Sequence, residues 1–402
     1  MDFSVSQEVE LINSQIDEFI EQEVEPLESE YDQFLGEDRE RYLVDDEGRR
    51  VEEYLELRDE IREKSVEAGF YTMNMPERVG GGGLSALEYT LVIEHLHNRD
   101  PRGFHHLMLD GLSVNASILP LYEDDYQREE YFEPVMNADK HMTFALTEPD
   151  HGSDATWMDT TAEKDGDEWV IDGTKCFISE SVEADFAMVH ARTSGEDGDV
   201  DGISTFLVDE DNPGWEIGKI QRSMGTGGGE QAFNHFNECR VPESQMVGEE
   251  GTGFRTAMTW VGGGRLTIPA RAVGLAEWTF DQCVDYAETR ETFGEAIGSR
   301  QFVQEMLVQT RIEIEEARWL YRYAAWQMDQ GENARWLQSA AKYRGANALV
   351  DAADRAIQIH GGAGYMKSLP FEGIYRDARV LRIYEGSDEI QKRTIARQFL
   401  DL

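Results

Sequence analysis

Lysine is scarce in this chain. It occurs eight times (64, 140, 164, 175, 219, 342, 367 and 392), against 29 arginines and 81 aspartates and glutamates in 402 residues. The formal net charge of −44 excludes nucleic acid as a partner, because a phosphate backbone is bound by Lys and Arg that displace its counterions. An anionic membrane surface is excluded on the same ground. Cysteine is nearly absent: Cys176, Cys239 and Cys283 are odd in number and far apart, which argues against a disulfide framework and for a reducing compartment. No window approaches 18 uncharged apolar residues, so no membrane-spanning helix is expected. The opening "MDFSVSQEVE" is acidic and lacks an apolar signal core. A soluble cytoplasmic protein is expected.

Chemical motifs of several kinds are missing too. "EHLHNRD" and "FHH" lack metal-ligand spacing and no cysteine pair is available, so no metal is expected. "VGGGG" (79–83) and "GTGGGE" (225–230) do not fit G-x-G-x-x-G between strand and helix, nor do they carry the Lys-Ser/Thr of a phosphate loop. Both are read as turns. No G-x-S-x-G elbow is present.

What is present is 40% hydrophobic residues, 10% of the chain aromatic, enough to bury real cores despite the charge. The length implies two or three domains. Acids spread through all of them, with so little lysine, read as adaptation to a very salty cytoplasm, where a Debye length of about 3 Å at 1 M salt screens self-repulsion. The hydrophobic period changes twice. Residues 1–138 read as helical, with Val5, Val9, Ile12, Ile16 and Phe19 at spacings of three and four. Residues 139–247 carry short β-branched and aromatic runs, with "KDGDEW" (164–169) as a hairpin turn. Residues 248–402 return to helix. There Val303, Leu307, Thr310, Ile314, Ala317, Tyr321, Ala324 and Met328 form a bundle seam that Gly331 ends. The expected class is α+β: an N-terminal all-α domain, a middle antiparallel β-barrel-like domain and a C-terminal four-helix bundle.

Five segments carry chemistry. "FALTEPDHGSD" (144–154) runs from a strand into a loop whose short residues expose backbone N–H groups. "GTKCFIS" (173–179) adds an aromatic and a hydroxyl. "RETFGEAIGSRQ" (290–301) has an Arg at a helix end, "AIQIHGGAGY" (356–365) ends a helix in a glycine turn, and "RDARVLRIYEGSDEIQ" (376–391) places Glu385 between an apolar run and a new helix.

In this order the five segments resemble the acyl-CoA dehydrogenase family, over nearly the whole chain. The resemblance implies an FAD protein, usually a dimer of dimers, that oxidises an acyl-CoA thioester and passes electrons to an electron-transferring flavoprotein. By position it implies that Phe144, Leu146, Thr147, Gly152 and Ser153 form the loop over the flavin. Ser153 would also face the substrate. Phe177 and Ser179 would flank the flavin ring, where most members have Trp and Thr. Arg290, Phe293 and Gln301 would hold FAD across a subunit interface, and Gln358, Gly361 and Gly362 would do so from the partner chain. Ser387 and Glu389 would make further cofactor contacts. Arg265, Tyr384 and Gly386 would bound the substrate.

The catalytic base is expected at Glu385. One branch of the family carries its acid immediately before the arginine, and here that position is Gly264. Glu385 would take the α proton as the β hydride leaves for flavin N5, and burial beside Tyr384 would raise its pKa. An oxygen-using oxidase is the alternative within the same chemistry, and a non-catalytic flavoprotein scaffold the alternative outside it. In "WVGGGRLTIPARAVG" (260–274) three glycines cost a helix about 1 kcal/mol each relative to alanine. They are expected to admit close backbone approach of the substrate or to mark a break near Pro269. Ser387 is read as a helix N-cap, with Asp388 and Glu389 in the first turn.

Overall fold

The computed structural model describes residues 5–109, 114–225 and 230–400; four residues of "GTGGGE" (226–229) and the first four of the chain lie outside that set. The longer helices are α1 (Gln7–Phe19), α2 (Glu52–Glu67), α3 (Ala86–His97), α4 (Gly253–Thr289), α5 (Gln301–Asp329), α6 (Arg335–His360), α7 (Phe371–Val380) and α8 (Asp388–Ala396). Their starts follow local chemistry. Ser6 accepts from the Val9 N–H at 3.3 Å. Ser85 and Glu88 form a reciprocal capping box at α3, the S-x-x-E pattern of "SALE". None of these helices is long and apolar enough to cross a membrane.

The chain forms two compact units, one of residues 1–39, 84–106 and 262–402, the other of residues 40–83 and 107–261. In the first, α5 and α6 are packed together, α5 also meets α3, and α7 and α8 lie on α6. The seam of α5 buries Thr310, Ile314, Ala317, Tyr321 and Ala324. Its ends depart from the sequence reading: Val303 and Leu307, in the first two turns, are half-buried, and Met328 is exposed one residue before the helix ends at Asp329. The inner face of α6 is lined by Ala341, Gly345, Ala346, Ala352, Ala353 and Ala356. Such small residues allow close helix approach: a Cβ at Gly345 would lie 2.7 Å from the Pro269 Cα of α4. Helix α4 runs unbroken through 262–264 and past Pro269, so the glycines mark no break.

The second unit holds a seven-stranded sheet: β1 (Met142–Ala145), β2 (Thr161–Asp165), β3 (Glu168–Ser179), β4 (Phe186–Arg192), β5 (Ile203–Asp209), β6 (Trp215–Arg222) and β7 (Glu230–Pro242). The order is β1-β4-β2-β3-β7-β6, with β5 on β4. Glu168 follows Asp165 across the Gly166 turn as the hairpin pattern requires. One feature corrects the antiparallel expectation. β1 pairs with β4 in parallel, Met142 against Phe186 through Ala145 against Val189, and β2 touches β4 in parallel at Thr161 and Arg192. A forty-residue excursion separates β1 from β4, long enough for the chain to return in the same direction. β4 is buried along its whole length. Phe186 and Met188 pack on the helical side with Tyr131, Phe132 and Trp260. Ala187, Val189 and Ala191 face the curled sheet's own core with Ile171, Phe206 and Phe236.

Candidate active-site residues

In the second unit, Phe144 on β1 stacks on Trp260 at 4.4 Å between centroids and 12° between planes, and meets His190 edge-on. The chain then leaves the sheet as a loop. Leu146 is buried. Thr147 accepts from the Cys176 N–H at 2.9 Å. Gly152 and Ser153 are exposed. Across from it, the register of β3 breaks between Lys175 and Ile178. Phe177 occupies that bulge at φ +58°, 59% exposed as a residue, with its N–H donating to Gln221 Oε1 at 3.3 Å. A left-handed phenylalanine costs on the order of 1–3 kcal/mol and persists only where its surroundings hold it. The Ser179 carbonyl accepts from Thr143 Oγ1 at 2.7 Å.

A buried ion pair holds this loop, and the sequence reading missed it. Lys175 Nζ donates to Glu148 Oε1 at 2.8 Å and to the Leu146 carbonyl at 3.1 Å. Both side chains are essentially inaccessible. Glu148 also accepts from the Asp159 and Thr160 N–H groups at 2.6 and 3.0 Å. Burial alone would raise its carboxyl, but Lys175 and these donors outweigh burial and hold it below the ordinary value of 4.5. The signal was strand parity: Trp169, Ile171 and Lys175 share the inward face of β3.

In the first unit, Glu385 and Gly386 are consecutive left-handed residues, φ +54° and +87°. The Glu385 carbonyl accepts from Arg265 Nε at 3.4 Å and Gln391 Nε2 at 3.0 Å. The Gly386 carbonyl accepts from Lys342 Nζ and Gln391 Nε2, both at 2.8 Å. Arg265 is buried, and burial foremost, with Arg335 next, lowers its pKa. Tyr384 is half-buried, and burial pushes its phenol up. Ser387 does occupy the N-cap position of α8, but its hydroxyl makes no cap bond to the backbone. Asp388 stands in the first turn of α8 as expected and is buried there, accepting from Arg382 Nε at 2.8 Å and Asn347 Nδ2 at 3.1 Å. Glu389 is exposed, its carboxyl held low by its own N–H and by Ser387.

The glycine triplet has a physical explanation. A Cβ at Gly264 would lie 2.9 Å from Glu385 Cγ and 3.1 Å from its Cδ, whereas at Gly262 and Gly263 it would meet nothing within 4 Å. Gly264→Ala should therefore leave the fold intact and push the Glu385 carboxylate aside, with a roughly ten- to hundredfold loss of turnover. Gly262→Ala and Gly263→Ala should each stabilise the helix by about 0.5–1 kcal/mol with turnover unchanged. Paired melting and rate measurements on the three variants check this.

The remaining expected cofactor residues lie exposed on the first unit, at turns and on helices. Arg290 follows the last turn of α4, is exposed, and makes no ion pair among the described residues. Phe293 sits at φ +51°, 99% exposed, in the turn of a two-residue hairpin between β8 (Glu291–Thr292) and β9 (Glu295–Ala296). Gln301 opens α5 and Gln358 is on the outer face of α6. Gly361, at φ +61°, ends α6, and neither it nor Gly362 has an atom within 4 Å of a would-be Cβ.

Three family models match in order: the acyl-CoA dehydrogenase N-terminal domain over residues 6–139, its middle domain over 143–239 and its C-terminal domain over 251–400. The chain belongs to the acyl-CoA dehydrogenase family. The rat mitochondrial short-chain specific acyl-CoA dehydrogenase is 36% identical over 337 residues, 84% of this chain and 81% of the rat protein. The 3-(aryl)acrylate reductase of Clostridium sporogenes is 35% identical over 350 residues, 87% of this chain and 92% of that one. The butyryl-CoA dehydrogenase of Megasphaera elsdenii superposes with a TM-score of 0.83 at 28% identity, covering 99% of each chain. As an acyl-CoA dehydrogenase-type protein, the chain is an oxidoreductase.

Proposed function

We propose that this protein catalyses α,β-dehydrogenation of an acyl-CoA thioester to a trans-2-enoyl-CoA with FAD, Glu385 removing the α proton. The observation that carries the reading is the Glu385 turn: a left-handed glutamate, its backbone held by Arg265, Gln391 and Lys342, beside a glycine that leaves room for its carboxylate. Such preorganisation suits a base that must meet a weakly acidic C–H in one orientation.

The residues fit FAD. A pyrophosphate needs a cation that is not already neutralised, and in a chain of net charge −44 the exposed Arg290 is one. Phe293, 99% exposed, and the open glycines 361 and 362 suit contacts completed by another subunit. When bound, FAD supplies the acceptor for the β hydride. Phe177, Ser179 and the loop from Phe144 to Ser153 would pack on its ring and exclude water. Arg265, Tyr384 and Gly386 would shape the thioester slot, and Ser387 and Glu389 would complete the cofactor contacts. A homotetramer is supported by the exposed apolar stripe of Val308, Ile312, Trp319 and Tyr323 on one face of α5. The three-part division at 138 and 247, a cytoplasmic location and reoxidation by an electron-transferring flavoprotein belong to the same proposal.

Anaerobic addition of butyryl-CoA to the FAD-loaded protein should bleach the flavin absorbance and release the enoyl-CoA. No bleaching by acyl-CoAs of any chain length would contradict the reading. Reoxidation by oxygen as fast as turnover would make the protein an oxidase. Faster flavin oxidation by an enoyl thioester than reduction by its saturated partner would make it a reductase, as the name of the Clostridium relative suggests. The acid-rich, lysine-poor composition carries its own prediction. Melting temperatures should fall steeply as KCl drops from molar to tenth-molar, and a flat profile would refute salt adaptation.

A further inference from the structure

Three donors from three helices hold the carbonyls of the Glu385–Gly386 turn: Arg265 on α4, Gln391 on α8 and Lys342 on α6. Lys342 is the unexpected one. Its side chain is fully buried among the small residues of α6. The Gly386 carbonyl would retain Gln391 without it, so the lysine is not needed to satisfy that oxygen. A buried ammonium is costly to keep where methionine would fill the same space. Its placement therefore calls for a role other than stability.

We propose that Lys342 is a positioning residue for the reaction: its ammonium on the Gly386 carbonyl locks the left-handed turn that aims the Glu385 carboxylate. The proposal rests on the reading of Glu385 as the base. The charges facing Lys342 are Asp388 and Glu389 of α8, Glu385 of the turn and Arg265 of α4. Asp388 is already engaged by Arg382 and Asn347, and Arg265 repels. Burial, the largest influence, lowers the Lys342 pKa to about 8 against these acids' attraction. The turn is thus held by a full charge at neutral pH and by a weaker neutral amine above it.

The test is anaerobic flavin bleaching by butyryl-CoA between pH 6 and 9.5, on FAD-loaded wild type, Lys342→Met and Glu385→Gln. Wild type should lose rate through an alkaline limb near pH 8. Lys342→Met should bleach roughly ten- to hundredfold more slowly at pH 7 and show no such limb. Its melting temperature should not fall. Because the folded pKa lies below the unfolded value of 10.5, wild type gains stability as pH rises between the two. Any melting advantage of the methionine variant should be largest below pH 8 and shrink toward 10.5. If Lys342→Met does not load FAD, Lys342→Gln, which keeps a neutral donor, carries the same comparison. A wild-type rate in the variant, or the same alkaline limb, overturns the proposal. Undiminished bleaching in Glu385→Gln would instead overturn the base assignment beneath it.

Discussion

Glu148→Gln and Lys175→Met should each destabilise the protein by about 3–5 kcal/mol, the usual consequence of removing one partner of a buried ion pair and leaving the other charge uncompensated. Lys175 has no exposure through which water could replace Glu148. The double variant Glu148→Met/Lys175→Met should recover part of that loss, because no buried charge remains. It should not recover all of it, since Glu148 also accepts the Asp159 and Thr160 N–H groups, which methionine leaves unpaired. A carboxyl held below 4.5 in the folded state contributes stability above its unfolded pKa and loses it as pH falls through the folded value. Wild type should accordingly weaken below pH 4.5 more steeply than Glu148→Gln. Because the pair fixes the loop from Leu146 to Thr160, both single variants should also retain less FAD. Urea melts across pH, with flavin content measured alongside, check each point. Single-variant losses under 1 kcal/mol would mean that the pair is not stabilising the loop.

The change of hydrophobic period from helix to strand and back was legible in the residues, because helix and strand leave different spacings. So was the two-residue turn at Gly166, whose φ of +68° only glycine adopts freely. The parallel pairing of β1 with β4 was not legible: "MTFA" and "FAMVHAR" look alike in either direction, and their neighbours in space are forty residues apart. The Glu385 segment was found through its motif, yet what holds it was not. Lys342 and Gln391 sit on helices whose pattern reads only as small or amphipathic, and nothing local marks Lys342 as buried. The Gly264 gap depends on the distance between two helices' surroundings, which no spacing encodes. Ser387 shows the opposite case: a residue with strong cap preference stands at the cap position and leaves the cap bond unmade, while the loop is tied down by the buried Asp388 with Arg382 and Asn347.

The largest effect on chemistry is expected at Glu385. If its carboxylate only favoured the N-terminus of α8, it would be worth about 0.3–1 kcal/mol of helix stability, and replacing it by glutamine would scarcely change turnover. If it is the base, it accepts the α proton, and glutamine, nearly the same in shape, cannot. General-base removal costs roughly 10²- to 10⁴-fold. The backbone of the turn would survive the change, because Arg265, Gln391 and Lys342 bind carbonyl oxygens, not the side chain. The most direct measurement is anaerobic stopped-flow reduction of FAD-loaded Glu385→Gln by butyryl-CoA beside wild type, with melting temperature and flavin content in parallel. The account predicts unchanged melting and flavin content with bleaching slowed at least about a hundredfold; bleaching within a few-fold of the wild-type rate would contradict it.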